Sequence, residues 1–344
     1  MLRKEFMASD IKQSFLESGN GDEFVLFIHG NGSSSLFWKQ LMQSIPEKYT
    51  CIAPDLRGYG ETEAVPAEAK NSFGDFVKDL VGLMKAQNAS KFHVVSHSLG
   101  GGISWELVCT VPDSILSVTM VNPASPFGFG GTKNENGELT FPDAAGSGGG
   151  IVNPDFVKLL EKQDRTESNI SSPLNVMNAF YWNPDFKPHN TEELLDSLLS
   201  MKVGNSFYPG DHTASPNFPF VAPGKYGQLN CAAPFGKAEN VEKLLKLEHK
   251  PPILWIRGGK DQIVSNTSMF DTSTHGITGF IPEYPGEEIC PQQPMVDQTR
   301  FVLKNYQSQG GKYKEVLYEE SGHSPFLEEP ERFLSELMNW FSIN

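Results

Sequence analysis

Short apolar runs that end in glycine- or serine-rich turns recur along the first third of the chain. Phe24 to His29 reads as one continuous apolar run and is followed by Gly30, Asn31, Gly32 and three serines, which predicts a buried strand opening into a loop. Thr50 to Pro54 repeats the theme and opens into the turn Asp55-Leu56-Arg57-Gly58-Tyr59-Gly60. Between the two, Phe37 to Ile45 is long enough for a helix. Phe73, Phe76, Val77, Leu80, Val81, Leu83 and Met84 recur near helical spacing and predict an amphipathic crossover helix over 73–86. A strand at Phe92 to Ser96, a helix from Gly100 to Val111 stopped by Pro112, and a strand at Ser117 to Val121 complete the pattern. Alternation of this kind means βαβ units, so the fold class expected is α/β with a doubly wound, mostly parallel sheet.

After Asn122 the pattern changes. The 28 residues from Pro123 to Gly150 contain 11 glycines and prolines, too many for packed regular structure. Helical spacing returns over 155–164, 174–181, 191–202 and 238–248, with no strand-like alternation between them apart from a long loop rich in proline, glycine and aromatic residues from Phe207 to Gly236. Asn190 three residues before Glu193 gives the third of these a start like a capping box. Residues 123–250 are therefore expected to form a mobile helical cap inserted into a core domain of residues 1–122 and 251–344. The sheet is expected to resume at Ile253 to Arg257 and Tyr313 to Tyr318, with a closing helix over 330–341. Roughly 30 residues more than a helix, a strand and short loops require lie between Asp261 and His323. They map to Ser265–Pro294, where glycines and prolines break regular structure, and predict a loop folded over the mouth of the sheet with Phe280, Ile281 and Tyr284 facing inward.

Charge narrows the partners. With 28 basic and 42 acidic residues the net charge is −14, which repels both a nucleic-acid backbone and an anionic leaflet. The uncharged run from Ser114 to Thr132 is broken by Asn122, Pro123, Pro126 and several glycines, so no membrane insertion is expected. The first ten residues carry basic side chains without the apolar stretch of a signal peptide, and the expectation is a cytoplasmic protein. Cys51, Cys109, Cys231 and Cys290 lie far apart without metal-ligand spacing, so they read as reduced thiols, and no metal or cofactor is implied. The expected partner is a small-molecule substrate; no feature speaks to oligomeric state.

Candidate chemistry stands at the strand ends. Ser96-His97-Ser98-Leu99-Gly100-Gly101 places a serine on a strand-to-helix turn, with Ser96 where such elbows usually have glycine. Together with the His29-Gly30-Asn31-Gly32 loop, the Gly258-Gly259-Lys260-Asp261 strand end and the Ser321-Gly322-His323-Ser324-Pro325 turn, this resembles the α/β-hydrolase family over nearly the whole chain. The order serine, acid, histidine also matches. The resemblance implies Ser98 as nucleophile, His323 as the base that takes its proton, and Asp261 as the carboxylate that orients the imidazole. Some members carry the acid one strand earlier, but that position here is Asn122, which favours Asp261. The family's oxyanion donors map to the backbone N–H groups of Asn31 and Leu99. Trp38 and Phe127, with Phe280 and Tyr284, are the aromatic candidates for a substrate pocket, whereas His29, His97, Asp55 and Arg57 read as packing or loop residues.

Haloalkane dehalogenases and epoxide hydrolases attack with an aspartate at the elbow, and Ser98 stands there instead. What the resemblance implies is acyl transfer to water from a carboxylic ester or lactone. A thioester, a C–C bond cleaved by the same serine, or a ligand receptor with little turnover are the alternatives.

Overall fold

The computed structural model describes residues 1–8 and 11–344. Eight strands build one sheet: β1 (Leu2–Ala8), β2 (Ile11–Ser18), β3 (Glu23–Ile28), β4 (Tyr49–Pro54), β5 (Phe92–His97), β6 (Ile115–Val121), β7 (Ile253–Gly258) and β8 (Tyr313–Tyr318). Their spatial order is β1-β2-β4-β3-β5-β6-β7-β8, and all neighbours from β4 to β8 are parallel. The central strands are apolar runs because both faces are covered; Val25, Leu26, Phe27, Ile28, Val94 and Val95 are wholly buried. Helices α1 (Lys39–Ser44), α2 (Gly74–Ala86) and α3 (Leu99–Thr110) provide the crossovers in the first half, as the spacing predicts. The fold is α/β with a mostly parallel central sheet.

The first two strands are absent from the reading of the pattern. β1 and β2 form an antiparallel hairpin, and β2 pairs antiparallel with β4. Polar Gln13 and Ser14 interrupt the apolar signal of β2, yet both are buried. Ser14 N–H donates to Thr62 Oγ1 at 2.9 Å, and Asp55 N–H donates to the Ser14 carbonyl at 2.8 Å. Tertiary hydrogen bonding, not periodicity, holds this strand in place.

Between β6 and β7 lie α4 (Pro154–Glu161), α5 (Pro173–Phe180), α6 (Thr191–Leu199), α7 (Gln228–Cys231) and α8 (Lys237–Lys246). Among these helices lie three small strand pairs that the spacing does not show. Thr132–Lys133 joins Glu138–Leu139, Val203–Gly204 joins Tyr208–Pro209, and His212–Ala214 joins Val221–Pro223. Strands of two or three residues are too short to show alternation. The capping box is also absent: Asn190 makes no side-chain cap, and its amide instead donates to Glu193 Oε2 at 3.4 Å. Helices α5 and α6 pack together, whereas α8 packs against α3 and α10 (Met295–Ser308). The 265–294 stretch holds a short helix, α9 (Thr272–Ile277), capped by the Asp271 carboxylate on Ser273 N–H at 2.8 Å. Helices α11 (Pro325–Glu328) and α12 (Pro330–Ser342) close the chain. All four cysteines are free thiols, and among the described residues no helix is long and apolar enough to cross a membrane.

Two buried histidines tie this core to pH. His29 takes a hydrogen bond from Leu56 N–H on Nε2 at 3.0 Å while its Nδ1 lies 2.8 Å from the Gly30 carbonyl, an arrangement only the neutral ring satisfies. His93 stacks on Phe341 with ring centroids 4.2 Å apart. Burial pushes both rings down from 6.5 to about 4. A folded-state value below the unfolded one means that the unfolded chain takes up the proton first on acidification. Stability is thus complete above about pH 6.5 and is lost as pH falls toward 4, by up to about 3 kcal/mol per ring. Urea unfolding midpoints measured across this window should fall steeply for the parent protein, and His93→Leu should flatten that slope; an unchanged slope would refute the assignment.

Candidate active site

Four loops leave the carboxyl ends of β3, β5, β7 and β8, where open α/β sheets place their crevice. Ser98 follows β5 at φ 54°, ψ −118°, a conformation that L-residues adopt only when their surroundings enforce it. Both sides of the residue are pinned. Its N–H donates to the Val121 carbonyl at 3.0 Å, and its own carbonyl accepts from Ala124 N–H at 2.9 Å and Gly102 N–H at 3.2 Å. The turn leaves no room for side chains around it. A Cβ on Gly100 would stand 2.4 Å from the Ile28 carbonyl oxygen, and one on Gly30 would stand 2.9 Å from the Ser98 Cβ. Ser96 fits because its hydroxyl points at the Thr119 carbonyl, 3.4 Å away on β6.

Beyond β7, Asp261 accepts Ile263 N–H at 2.8 Å and Val264 N–H at 3.1 Å on one oxygen. Its other oxygen faces His323 Nδ1 at 2.8 Å, with side-chain exposures of only 1% and 4% for the pair. A carboxylate so placed holds the proton on Nδ1 and leaves Nε2 free to accept one.

The loop carrying His323 is held by three side chains. Asn122, at the end of β6, donates to the carbonyls of His323 at 2.8 Å and Gly322 at 3.1 Å, while its Oδ1 accepts Gly258 N–H at 2.9 Å. His97 Nε2 lies 2.8 Å from the same His323 carbonyl, and burial holds the His97 ring well below its usual pKa, so it serves as a neutral donor. Glu328, in α11, accepts Gly322 N–H at 2.9 and 3.0 Å and Ser324 N–H at 3.3 Å. Burial raises the Glu328 carboxyl against the opposing pull of these backbone donors. In the sequence Asn122 stands out as a break in the apolar run and for lacking a carboxylate, and nothing there points to Glu328.

The remaining predicted residues divide. Leu99 opens α3 and is buried behind the elbow, and Asn31 lies in the loop after β3 with its Oδ1 accepting from Tyr59 OH at 2.8 Å. Trp38 is a correction: it is fully buried, with ring centroids 4.3 Å from Phe326 and 5.4 Å from Phe27, and belongs to the core. Phe127 is buried under the 131–140 loop, where a Cβ on Gly137 would meet its ring at 2.0 Å. Phe280 is 81% exposed and touches only the ring of His275 among the described aromatic contacts. Tyr284 turns into its own loop, donating to the Cys290 carbonyl at 2.8 Å and packing on Phe218. The loop uses Tyr284 to close on α9 and leaves Phe280 in solvent, so neither contributes the inward wall expected. Among the described residues no group of three His, Cys, Asp or Glu comes together to hold a metal ion.

The model of the alpha/beta hydrolase fold family matches residues 23–279, and the chain belongs to that family. It is 34% identical over 124 residues to the dihydrolipoyllysine-residue acetyltransferase component of the acetoin cleaving system of Cupriavidus necator, covering 36% of this chain and 32% of that one. It is 35% identical over 125 residues to epoxide hydrolase 3 of Siraitia grosvenorii, covering 34% and 39%. The chain thus spans about a third to two fifths of the length of the curated relatives it matches. Among solved structures, a putative aryl esterase from Burkholderia cenocepacia aligns over 99% of this chain and 98% of its own with a TM-score of 0.60 at 20% identity. A thermophilic esterase from Thermogutta terrifontis does so over 99% and 98% with a TM-score of 0.57 at 17% identity.

Asn122 is the sharpest test of how the site is assembled. Asn122→Ala should cost about 2–3 kcal/mol, and Asn122→Asp more, because it turns two carbonyl oxygens toward a carboxylate instead of an amide. Equal thermal stability of the two variants would contradict this account.

Proposed function

We propose that the protein is a serine hydrolase that cleaves a medium-sized, largely apolar carboxylic ester or lactone through an acyl-enzyme on Ser98. The observation that carries this reading is the buried pair of Asp261 and His323, 2.8 Å apart, at the same sheet end as a serine held on a strained, crowded turn. In this scheme His323 Nε2 takes the Ser98 hydroxyl proton as the oxygen attacks the substrate carbonyl. The oxyanion is met by the backbone N–H groups of Asn31 and Leu99, and the N-terminus of α3 adds its positive end. His323 then gives the proton to the leaving alkoxide, and water, deprotonated by the same imidazole, releases the acyl group. Residues 123–250, placed between β6 and β7, act as the cap that selects substrate.

Solved structures of the same fold whose titles name esterases agree with this reading, as does the carbamate hydrolase name of a relative 32% identical over 102 residues. The dehalogenase and epoxide hydrolase names among the relatives are less apt, because a serine at the elbow makes an acyl ester and does not form the alkyl ester of an aspartate nucleophile.

A fluorophosphonate should label Ser98 alone on peptide mapping. Ser98→Ala should lower ester turnover on the order of a millionfold with an unchanged melting temperature, and Asp261→Asn by about ten-thousandfold. Labelling at another serine, or turnover surviving in Ser98→Ala, overturns the proposal.

A further inference from the structure

The end of α5 and the turn after it, residues 179–183, meet all three loops on which the proposed chemistry depends. Next to the acid, Gln262 Nε2 donates to the Ala179 carbonyl at 3.4 Å, and the Phe180 ring stands edge-on to Phe270 at 5.1 Å. Beside Asn31, Tyr181 OH donates to the Gly32 carbonyl at 3.3 Å. The fit there is close, since a Cβ on Gly32 would lie 2.2 Å from that hydroxyl. On the loop of the base, a Cβ on Gly322 would lie 2.5 Å from the backbone of Trp182 and of Asn183. Asn183 N–H donates to Glu328 Oε2 at 2.8 Å, and Asn183 Nδ2 donates to the Glu320 carbonyl at 2.8 Å. Glu328 therefore joins residue 183 of the inserted segment to Gly322 and Ser324, on either side of His323, through one carboxylate.

We propose that residues 179–183 are a fixed brace that sets the acid, base and oxyanion loops relative to one another, with Tyr181 and Glu328 as positioning residues. The proposal rests on the hydrolase reading above. The sheet fixes where each loop begins but not how three loops from three strands meet, and misplacement by about 1 Å costs roughly a hundredfold in rate. The strongest link is the charge-assisted bond from Asn183 N–H to Glu328; the 3.3 and 3.4 Å contacts are longer, but the Tyr181 hydroxyl is itself the group wedged against the oxyanion loop at Gly32. The inserted segment is on this view part of the catalytic frame and not a lid that swings clear of it.

The test uses the full chain with Tyr181→Phe, Glu328→Gln, Glu328→Asp and the Tyr181→Phe/Glu328→Gln double variant. Hydrogen exchange is followed in peptides covering 29–34, 261–264 and 320–324, alongside hydrolysis of a chromogenic ester. Each single variant should speed exchange about threefold or more in all three peptides, including those it does not touch. Turnover should fall about tenfold in Tyr181→Phe and about thirtyfold in Glu328→Gln, with KM within about twofold and partial recovery in Glu328→Asp. In the double variant the loss should be smaller than the product of the single losses, since both act through one element. Exchange changes confined to the loop each residue touches, or losses that multiply, overturn the brace. If Glu328→Gln does not fold, Tyr181→Phe, which keeps its ring packing, decides the matter alone. A parent protein that neither turns over esters nor takes the fluorophosphonate overturns the hydrolase reading, and the exchange pattern still decides the brace.

Discussion

A serine held at φ 54° between two strand ends can persist only if everything around it is small or already bonded. That constraint organises the middle of the molecule. The neighbouring strand β3 brings the Ile28 carbonyl so near that position 100 has no space for a side chain, and β6 supplies the Val121 carbonyl that receives the Ser98 N–H. The sheet order, with β5 between β3 and β6, is what makes both contacts available at once.

The same region holds three imidazoles, two of which burial keeps neutral. His29 and His97 lie close to the elbow, and burial holds both below the usual imidazole range. Both bond to backbone groups: His29 through its two ring nitrogens to Gly30 and Leu56, and His97 through Nε2 to the carbonyl of His323. Of the three, His323 is the one hydrogen-bonded to a carboxylate. Three imidazoles at one sheet end thus hold different duties because their hydrogen-bond partners differ, not because their positions do.

Much of this was legible in the chain because the central strands are buried on both faces and leave uninterrupted apolar runs, and because a nucleophile turn needs small residues at fixed offsets. Ser98 stands on such a turn, the resemblance to the family points to Asp261 and His323, and the structure brings the last two into contact. The hairpin of β1 and β2 was not legible, since Ser14 is buried by bonds to Thr62 and Asp55 that no local pattern announces. The roles of Asn122 and Glu328 were not legible for a related reason. Asn122 acts on a residue 200 positions away, and Glu328 acts through backbone N–H groups, which any sequence contains. Trp38 and Tyr284 were misplaced because an aromatic side chain near a site looks the same in sequence whether it faces a cavity or the core.

The first strand also bears on how this molecule keeps company with its own kind. Among the described residues β1 pairs only with β2 and so presents one row of backbone groups outward, an open edge of the sort that recruits strands from other chains. Its middle carries Arg3, Lys4 and Glu5, and these are engaged within the molecule: Arg3 with Asp55 at 2.7 Å, Lys4 with Glu17 at 2.6 Å and Glu5 with Lys12 at 2.7 Å. A foreign strand docking there would have to desolvate or break these pairs. Charge along an open edge thereby disfavours edge-to-edge pairing on that side of the long sheet.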